Sequence, residues 1–238
     1  MRYLLIFLFL TFVSVTWGQD SDSKDNEKKE GRPDVPGKLL LDFGYSFSPV
    51  EKVSFDMMGS RTVNLYYMQD FRFGTSKFSF HPGIGLGAYR YRVGKNDNDQ
   101  PQVILHSADS AYFIVDNETS IIKNMLIANY VEIPVEFRFS TSPDDKPRSF
   151  NVMLGGKIGL LGKSQSKLKY KENEIVAKLK DQRNFHISPL RYSAYLRIGV
   201  GGFNVFADYS ISPLFIEGEG PEKKTLNMLT TGISFDLF

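Results

Sequence analysis

The chain has 238 residues, with 29 lysines and arginines against 27 aspartates and glutamates, a formal net charge of +2 that gives no argument for a nucleic-acid partner. It has no cysteine, which excludes a disulfide scaffold, but 12 tyrosines and 20 phenylalanines. After the N-terminal apolar run there is no second run of roughly eighteen apolar residues, so no membrane-spanning helix is expected; a soluble sheet protein and a membrane barrel both fit such a composition.

Met1-Arg2, the apolar run 3–13 and the small residues Ser14, Thr16 and Gly18 read as a secretory signal peptide over 1–18, too short to span a bilayer. Cleavage is expected after Gly18, and with no cysteine following, a lipoprotein anchor is not expected. Residues 19–38 (QDSDSKDNEKKEGRPDVPGK) are charged and nearly free of large apolar side chains, so they read as a flexible periplasmic leader. Residues 39–238 then form one domain of strand-like stretches with period-two alternation.

The first stretch, 39–48, sets Leu39, Leu41, Phe43, Tyr45 and Phe47 against Asp42, Gly44, Ser46 and Ser48. The second, 61–73, sets Val63, Leu65, Tyr67, Phe71 and Phe73 against Asn64, Tyr66, Met68, Asp70 and Arg72, with Gln69 spoiling the apolar face. The third, 77–93, sets Phe78, Phe80, Ile84 and Leu86 against Ser79, His81, Gly83, Gly85 and Gly87; beyond Ala88 the parity changes, through a bulge or because the membrane-embedded part ends. The fourth, 125–139, alternates Val131, Ile133, Val135, Phe137 and Phe139 with Tyr130, Glu132, Pro134, Glu136 and Arg138.

In the fifth, 150–163, Phe150, Val152, Leu154, Ile158 and Leu160 oppose Asn151, Met153, Gly155, Lys157 and Gly159. The sixth, 190–199, places Arg191 and Arg197 on the face away from Leu190, Tyr192, Leu196 and Ile198, and the seventh, 203–213, places Asp208 away from Phe203, Val205 and Tyr209. The eighth, 226–238, puts Leu229, Thr231, Ile233, Phe235 and Leu237 on one face and Thr230, Gly232, Ser234 and Asp236 on the other. Alone it reads equally as the edge of a sandwich. Its Thr230, Gly232, Phe235 and Leu237, followed by Phe238, resemble the C-terminal signal by which bacterial outer-membrane barrels are recognised for insertion, which implies the barrel-assembly machinery as a partner.

The spacers alternate. They are short after the second, fourth and sixth stretches and longer after the others, notably 94–124 and 164–189. That alternation is what an up-and-down barrel requires, so the predicted fold is all-β: an eight-stranded antiparallel transmembrane β-barrel in the outer membrane, with both termini on the short-turn, periplasmic side. A lysine or arginine facing lipid at the midplane costs roughly 2–4 kcal/mol, so the apolar faces point outward. The inner set is then Asp42, Asp70, Glu132, Glu136, Asp208 and Asp236 with Arg72, Arg138, Lys157, Arg191 and Arg197. Eight strands enclose room for side chains alone, so the expected lumen is plugged by an ion-pair network, the alternative being a narrow gated polar path.

Residues 130–141 (YVEIPVEFRFST), 154–159 (LGGKIG), 212–215 (SPLF) and 232–235 (GISF) together resemble the small outer-membrane β-barrel proteins of Bacteroidetes, the PorT-type porin family. The resemblance extends from about residue 39 to the end and implies fold and location. Its named member, PorT, is linked to type IX secretion and gliding, and no PorT functional residue is carried onto this chain.

Constellations for chemistry are sparse. His81, His106 and His186 lack metal-ligand spacing; His106 with Asp109, or His186 with Ser188, are the pairs a rim-located hydrolase would use, against solvated surface. Gly83-x-Gly85-x-Gly87 lies within a strand and reads as barrel packing, not a dinucleotide loop. Asn117-Glu118-Thr119 is a chance sequon match. Residues 163–188 carry Lys163, Lys167, Lys169, Lys171, Lys178, Lys180 and Arg183 against Glu172, Glu174 and Asp181, either a solvated hairpin or a contact for lipopolysaccharide phosphates. Within 94–124, residues 103–105 and 112–115 read as hairpin extensions of the third and fourth strands, where a partner would dock. The expected role is structural or interactive, through long surface loops, with no cofactor and no catalysis. The expected partners are outer-membrane lipids, lipopolysaccharide and other envelope proteins. An accessory part of a secretion or transport machine is the second reading, and a rim enzyme the third.

Overall fold

In the computed structural model the described residues are 37–49, 55–95, 98–115, 120–172, 175–183, 185–223 and 225–237. The signal peptide, most of the leader, the sequon and Phe238 lie outside them. The strands are β1 (Lys38–Phe47), β2 (Phe55–Met68), β3 (Phe71–Arg72), β4 (Phe78–Val93), β5 (Gln102–His106), β6 (Ala111–Val115), β7 (Ser120–Ser140), β8 (Phe150–Glu172), β9 (Ile175–Asp181), β10 (Leu190–Val200), β11 (Phe203–Ser210) and β12 (Leu229–Asp236). β1, β2, β4, β7, β8, β10, β11 and β12 close in that order into an eight-stranded antiparallel barrel. The seam is β12 against β1, with Phe43 opposite Ile233 and Gly44 opposite Gly232. Closure removes the sheet edges that would otherwise expose unpaired backbone groups to lipid.

The barrel is inverted relative to a water-soluble protein. Leu154 is 64% exposed, Leu160 63% and Leu86 60%, all on the outer face, while Glu132 inside is 0% exposed. Near the short turns the outer face carries the ring pairs Phe78–Phe139 and Phe80–Phe137, each with centroids 5.2 Å apart, and Phe203–Phe235 at 5.5 Å. Toward the long loops Tyr45, Tyr192 and Tyr209 are exposed. An apolar band between two aromatic girdles is the surface that a bilayer solvates.

Several boundaries differ from the sequence expectation. The β2 ladder breaks at Gln69 and Asp70, opposite Pro82, and resumes as β3 in the same register against β4. Proline has no N–H to donate, so the bond there is the one from the Gln69 amide to the Pro82 carbonyl at 2.8 Å. β4 contains no bulge: its register with β7 is constant from Phe78–Phe139 to Arg92–Met125. Odd residues point inward throughout, and Tyr89 and Tyr91 are buried while Arg90 is exposed. What changes beyond Ala88 is the surroundings, since the outer face leaves lipid and the inner face enters an apolar cap. Register shifts fall instead in β2 between Asp56 and Arg61, and in β7 against β8.

Within the spacer 94–124, residues 103–105 and 112–115 do not extend the third and fourth strands. β5 and β6 form a separate two-stranded sheet, and β7 itself begins at Ser120. Likewise β8 runs on to Glu172, with β9 folding back on it in register from Lys171–Val176 to Ser166–Asp181. Polar outer residues do not oppose pairing once a strand has left the bilayer, so the ladder outlives its apolar pattern.

Candidate functional site

The lumen holds two charge clusters. At the centre of the first is Glu132 on β7, whose neighbours across both ladders are glycines, Gly85 on β4 and Gly159 on β8. A Cβ on Gly159 would lie 3.0 Å from the Glu132 side chain, and one on Gly87 would lie 2.9 Å from its Oε2, so these positions leave the carboxylate its space. Tyr66 donates a short hydrogen bond to Glu132 Oε2. Tyr89 donates to Oε1 at 2.8 Å, and Arg191 Nη1 donates to the same oxygen at 3.0 Å. Lys157 Nζ lies 2.5 Å from Asp208 Oδ2 and 3.6 Å from Glu132 Oε2, and donates to the Tyr66 hydroxyl at 2.9 Å. The Arg191 guanidinium also sits 4.4 Å from the Tyr89 ring centre.

The second cluster lies nearer the termini. Arg197 reaches Glu136 at 2.5 Å and Asp42 at 3.1 Å. Arg138 lies 3.3 Å from Glu136 and 3.8 Å from Asp236, which Lys38 approaches at 3.2 Å. Asp42, Glu132, Glu136 and Asp208 are thus buried with Arg138, Lys157, Arg191 and Arg197, four carboxylates against four cations. On the seam side Ser46 bonds Thr62 at 2.7 Å and Thr230 at 2.8 Å.

The remaining residues of the inner set lie elsewhere. Arg72 is not in the lumen: it is exposed beside the 74–77 turn and pairs with Asp144 at 2.7 Å. The interruption opposite Pro82 places it past the end of the β2 wall. Asp70 is partly exposed at the same end, 3.5 Å from His81, whose Nε2 is 2.7 Å from Ser79 Oγ. Of the C-terminal residues, Thr230 is buried in the lumen, Gly232 faces the β1 seam, Phe235 stacks outside against Phe203 and Leu237 is exposed. Tyr66 and Tyr89 had no place in the expected charge network. Their spacing on the polar face was legible for Tyr66, whereas Tyr89 was hidden by the apparent parity change.

Beyond the charged layer, on the long-loop side, the described residues form a buried apolar cluster, here called the cap. Tyr89, Tyr91, Leu126 and Tyr130 from the barrel wall pack with Ile104 and Ala111 of the β5–β6 hairpin and with Phe185, Ile187, Phe215, Leu226 and Met228 of the loops. Backbone bonds stitch these segments: the Ala111 amide to the Glu219 carbonyl at 2.8 Å, Ser188 to Leu214 at 3.0 Å and Leu214 to Leu226 at 2.7 Å. Both loop histidines find acidic partners other than those expected. His106 lies 3.6 Å from Asp181. His186 Nδ1 is 2.7 Å from Glu219 and its Nε2 is 3.1 Å from the Ser107 carbonyl. Burial lowers the His186 pKa, but the Glu219 bond, the Ser107 carbonyl and the Glu219 charge outweigh it and raise the group above its ordinary value. Ser188 instead donates to the Leu190 carbonyl, so neither imagined rim pair is assembled.

The family profile described as outer membrane protein beta-barrel domain matches residues 22–215. Among solved structures, a triple mutant of the Rhodopseudomonas blastica porin is similar over 84% of this chain and 99% of its own, at 11% identity with a TM-score of 0.21. No curated protein matches the chain.

Proposed function

We propose, for a chain that belongs to the outer membrane protein beta-barrel domain family, a plugged outer-membrane barrel that acts as a structural or interaction protein through its long-loop side. The observation that carries this reading is the two-storey filling of the lumen. The Glu132 cluster crosses the bore at mid-height, and the apolar cap around Tyr91 and Phe215 covers it. A polar path through the Glu132 storey would have to unpair buried charges, at a cost of several kcal/mol. The first and last strands, joined by the Lys38–Asp236 pair at the short-turn end, would have that end on the periplasmic side, and the Thr230–Leu237 segment that closes the seam would be read by the assembly machinery.

A second reading is favoured by the resemblance of residues 130–141 to PorT-type sequences: an accessory component of a secretion or transport machine. Proteoliposomes carrying the protein should fail to swell in a small sugar such as arabinose. Rapid swelling would defeat the plugged-barrel reading. Co-purification of one defined set of secretion proteins from solubilised outer membranes, lost when residues 100–115 are replaced by a short turn, would select the accessory role.

A further inference from the structure

On the outer face above the apolar band, β4, β7, β8 and β9 form a groove of about 520 Å³ lined by Arg90, Lys123, Lys167, Lys169, Lys178 and Lys180. The cations are stacked by the ladder. Lys123 pairs with Lys169, which pairs with Lys178, so three lysines stand side by side on adjacent strands, and Lys167 faces Lys180 in a second row. Like charges directly opposite in a sheet repel. Among the described residues none of the six forms an ion pair with a carboxylate, although the chain as a whole is nearly neutral. The nearest acid on β9, Asp181, is turned to His106 and Arg183.

The floor of the groove is apolar. Met125 and Ile127 are on the outer face yet only 8% and 5% exposed. Ile127 lies four residues above the lipid-facing Val131 on the same strand, and Arg90 four above Leu86, a rise of about 13 Å at most. The cationic rows therefore begin at head-group height and continue outward.

We propose that this groove binds a phosphate-bearing glycolipid of the surrounding outer leaflet, with Lys123, Lys169 and Lys178 neutralising its phosphates and Met125 and Ile127 seating its apolar or sugar-ring part. Charge complementarity selects the phosphates, and continuity with the lipid-facing wall selects a membrane lipid over a soluble anion. The assignment rests on the long-loop side facing outward. Labelling of Ile175→Cys, at an exposed position of β9, by a membrane-impermeant maleimide on intact cells tests that orientation separately.

The test uses the purified full-length protein in neutral detergent and native mass spectrometry with bis-phosphorylated lipid A, the same lipid stripped of phosphate, and inorganic pyrophosphate. Wild type should bind the phosphorylated lipid, and Lys123→Gln/Lys169→Gln/Lys178→Gln should bind it about a hundred-fold more weakly. Lys77→Gln/Arg148→Gln, at the opposite end, should bind as wild type does. The triple variant should also unfold at a higher temperature than lipid-free wild type in low salt, because it lacks the lysine row's repulsion. Equal lipid binding by wild type and triple variant would overturn the proposal. So would equal binding of the stripped lipid, or competition by pyrophosphate at the lipid's own concentration.

Discussion

Arg191 on β10 donates to Glu132 on β7 at 3.0 Å, although β8 lies between their strands. Gly159 on β8 is the ladder partner of both residues, so the bond passes over a glycine and ties together two strands that the ladder does not pair directly. Removing one partner of a buried pair strands the other charge, at about 3–5 kcal/mol. Glu132→Ala leaves both Arg191 and Lys157 short of their shared carboxylate and is expected to lower unfolding stability by that amount. Urea titration of protein folded into vesicles measures it, and a loss below about 1 kcal/mol would mean the cluster is not a structural plug.

The outer face obeys the opposite rule. Leu154 is 64% exposed between the two aromatic girdles, so Leu154→Arg presents a cation to lipid. A destabilisation of about 2–4 kcal/mol is expected in the same titration, while Leu179→Arg, on β9 beyond the band, should be nearly neutral.

Gly232 faces Gly44 across the seam, and a Cβ at 232 would collide with the Phe43 carbonyl. Gly232→Val is therefore expected to prevent β12 from closing on β1. The heat-modifiable band shift on a gel, a sign of a closed barrel, should be lost in this variant and kept in Ile233→Val, whose side chain points outward.

The cap is expected to depend on pH through His186. Its folded pKa is raised above the unfolded value, so the stabilisation it gives is fully present below about pH 6.5 and fades as pH climbs through the folded value. Glu219 and the nearby Asp109 are the acids that hold the proton there. Amide exchange at Ala111, whose N–H is bonded to the Glu219 carbonyl, should be faster relative to the intrinsic rate at pH 8 than at pH 5.5. His186→Gln should flatten that difference.

The barrel was legible in the sequence because the bilayer imposes strict alternation: Val131 to Phe139 outward, Glu132 to Arg138 inward, with no tertiary context needed. Face assignments for Asp42, Glu136, Lys157, Arg191, Arg197 and Asp208 followed from the same constraint. Beyond the membrane that constraint ends. β4 keeps its geometry past Ala88 while the chemistry of its faces inverts, so Tyr89 and Tyr91 looked like a slip of register. β8 and β9 pair through segments in which only Leu168 and Tyr170, and Ala177 and Leu179, alternate with lysines, a short and charge-dominated pattern that looked like loop. Arg72 fitted the inner parity but lies past the break that Pro82 imposes from a neighbouring strand, a non-local cause. The cap was invisible for the same reason: Ile104, Phe185, Phe215 and Leu226 lie far apart in sequence, and only the folded loops bring them together.

Single-channel recording across a planar bilayer, with the full-length barrel inserted and a potential of either sign applied, bears most directly on the filled lumen. A sealed baseline with at most brief, small openings is expected, with steady current appearing in Glu132→Ala once the cap hairpin, residues 100–115, is also replaced. A large, steady conductance in the unmodified protein would contradict a plugged barrel.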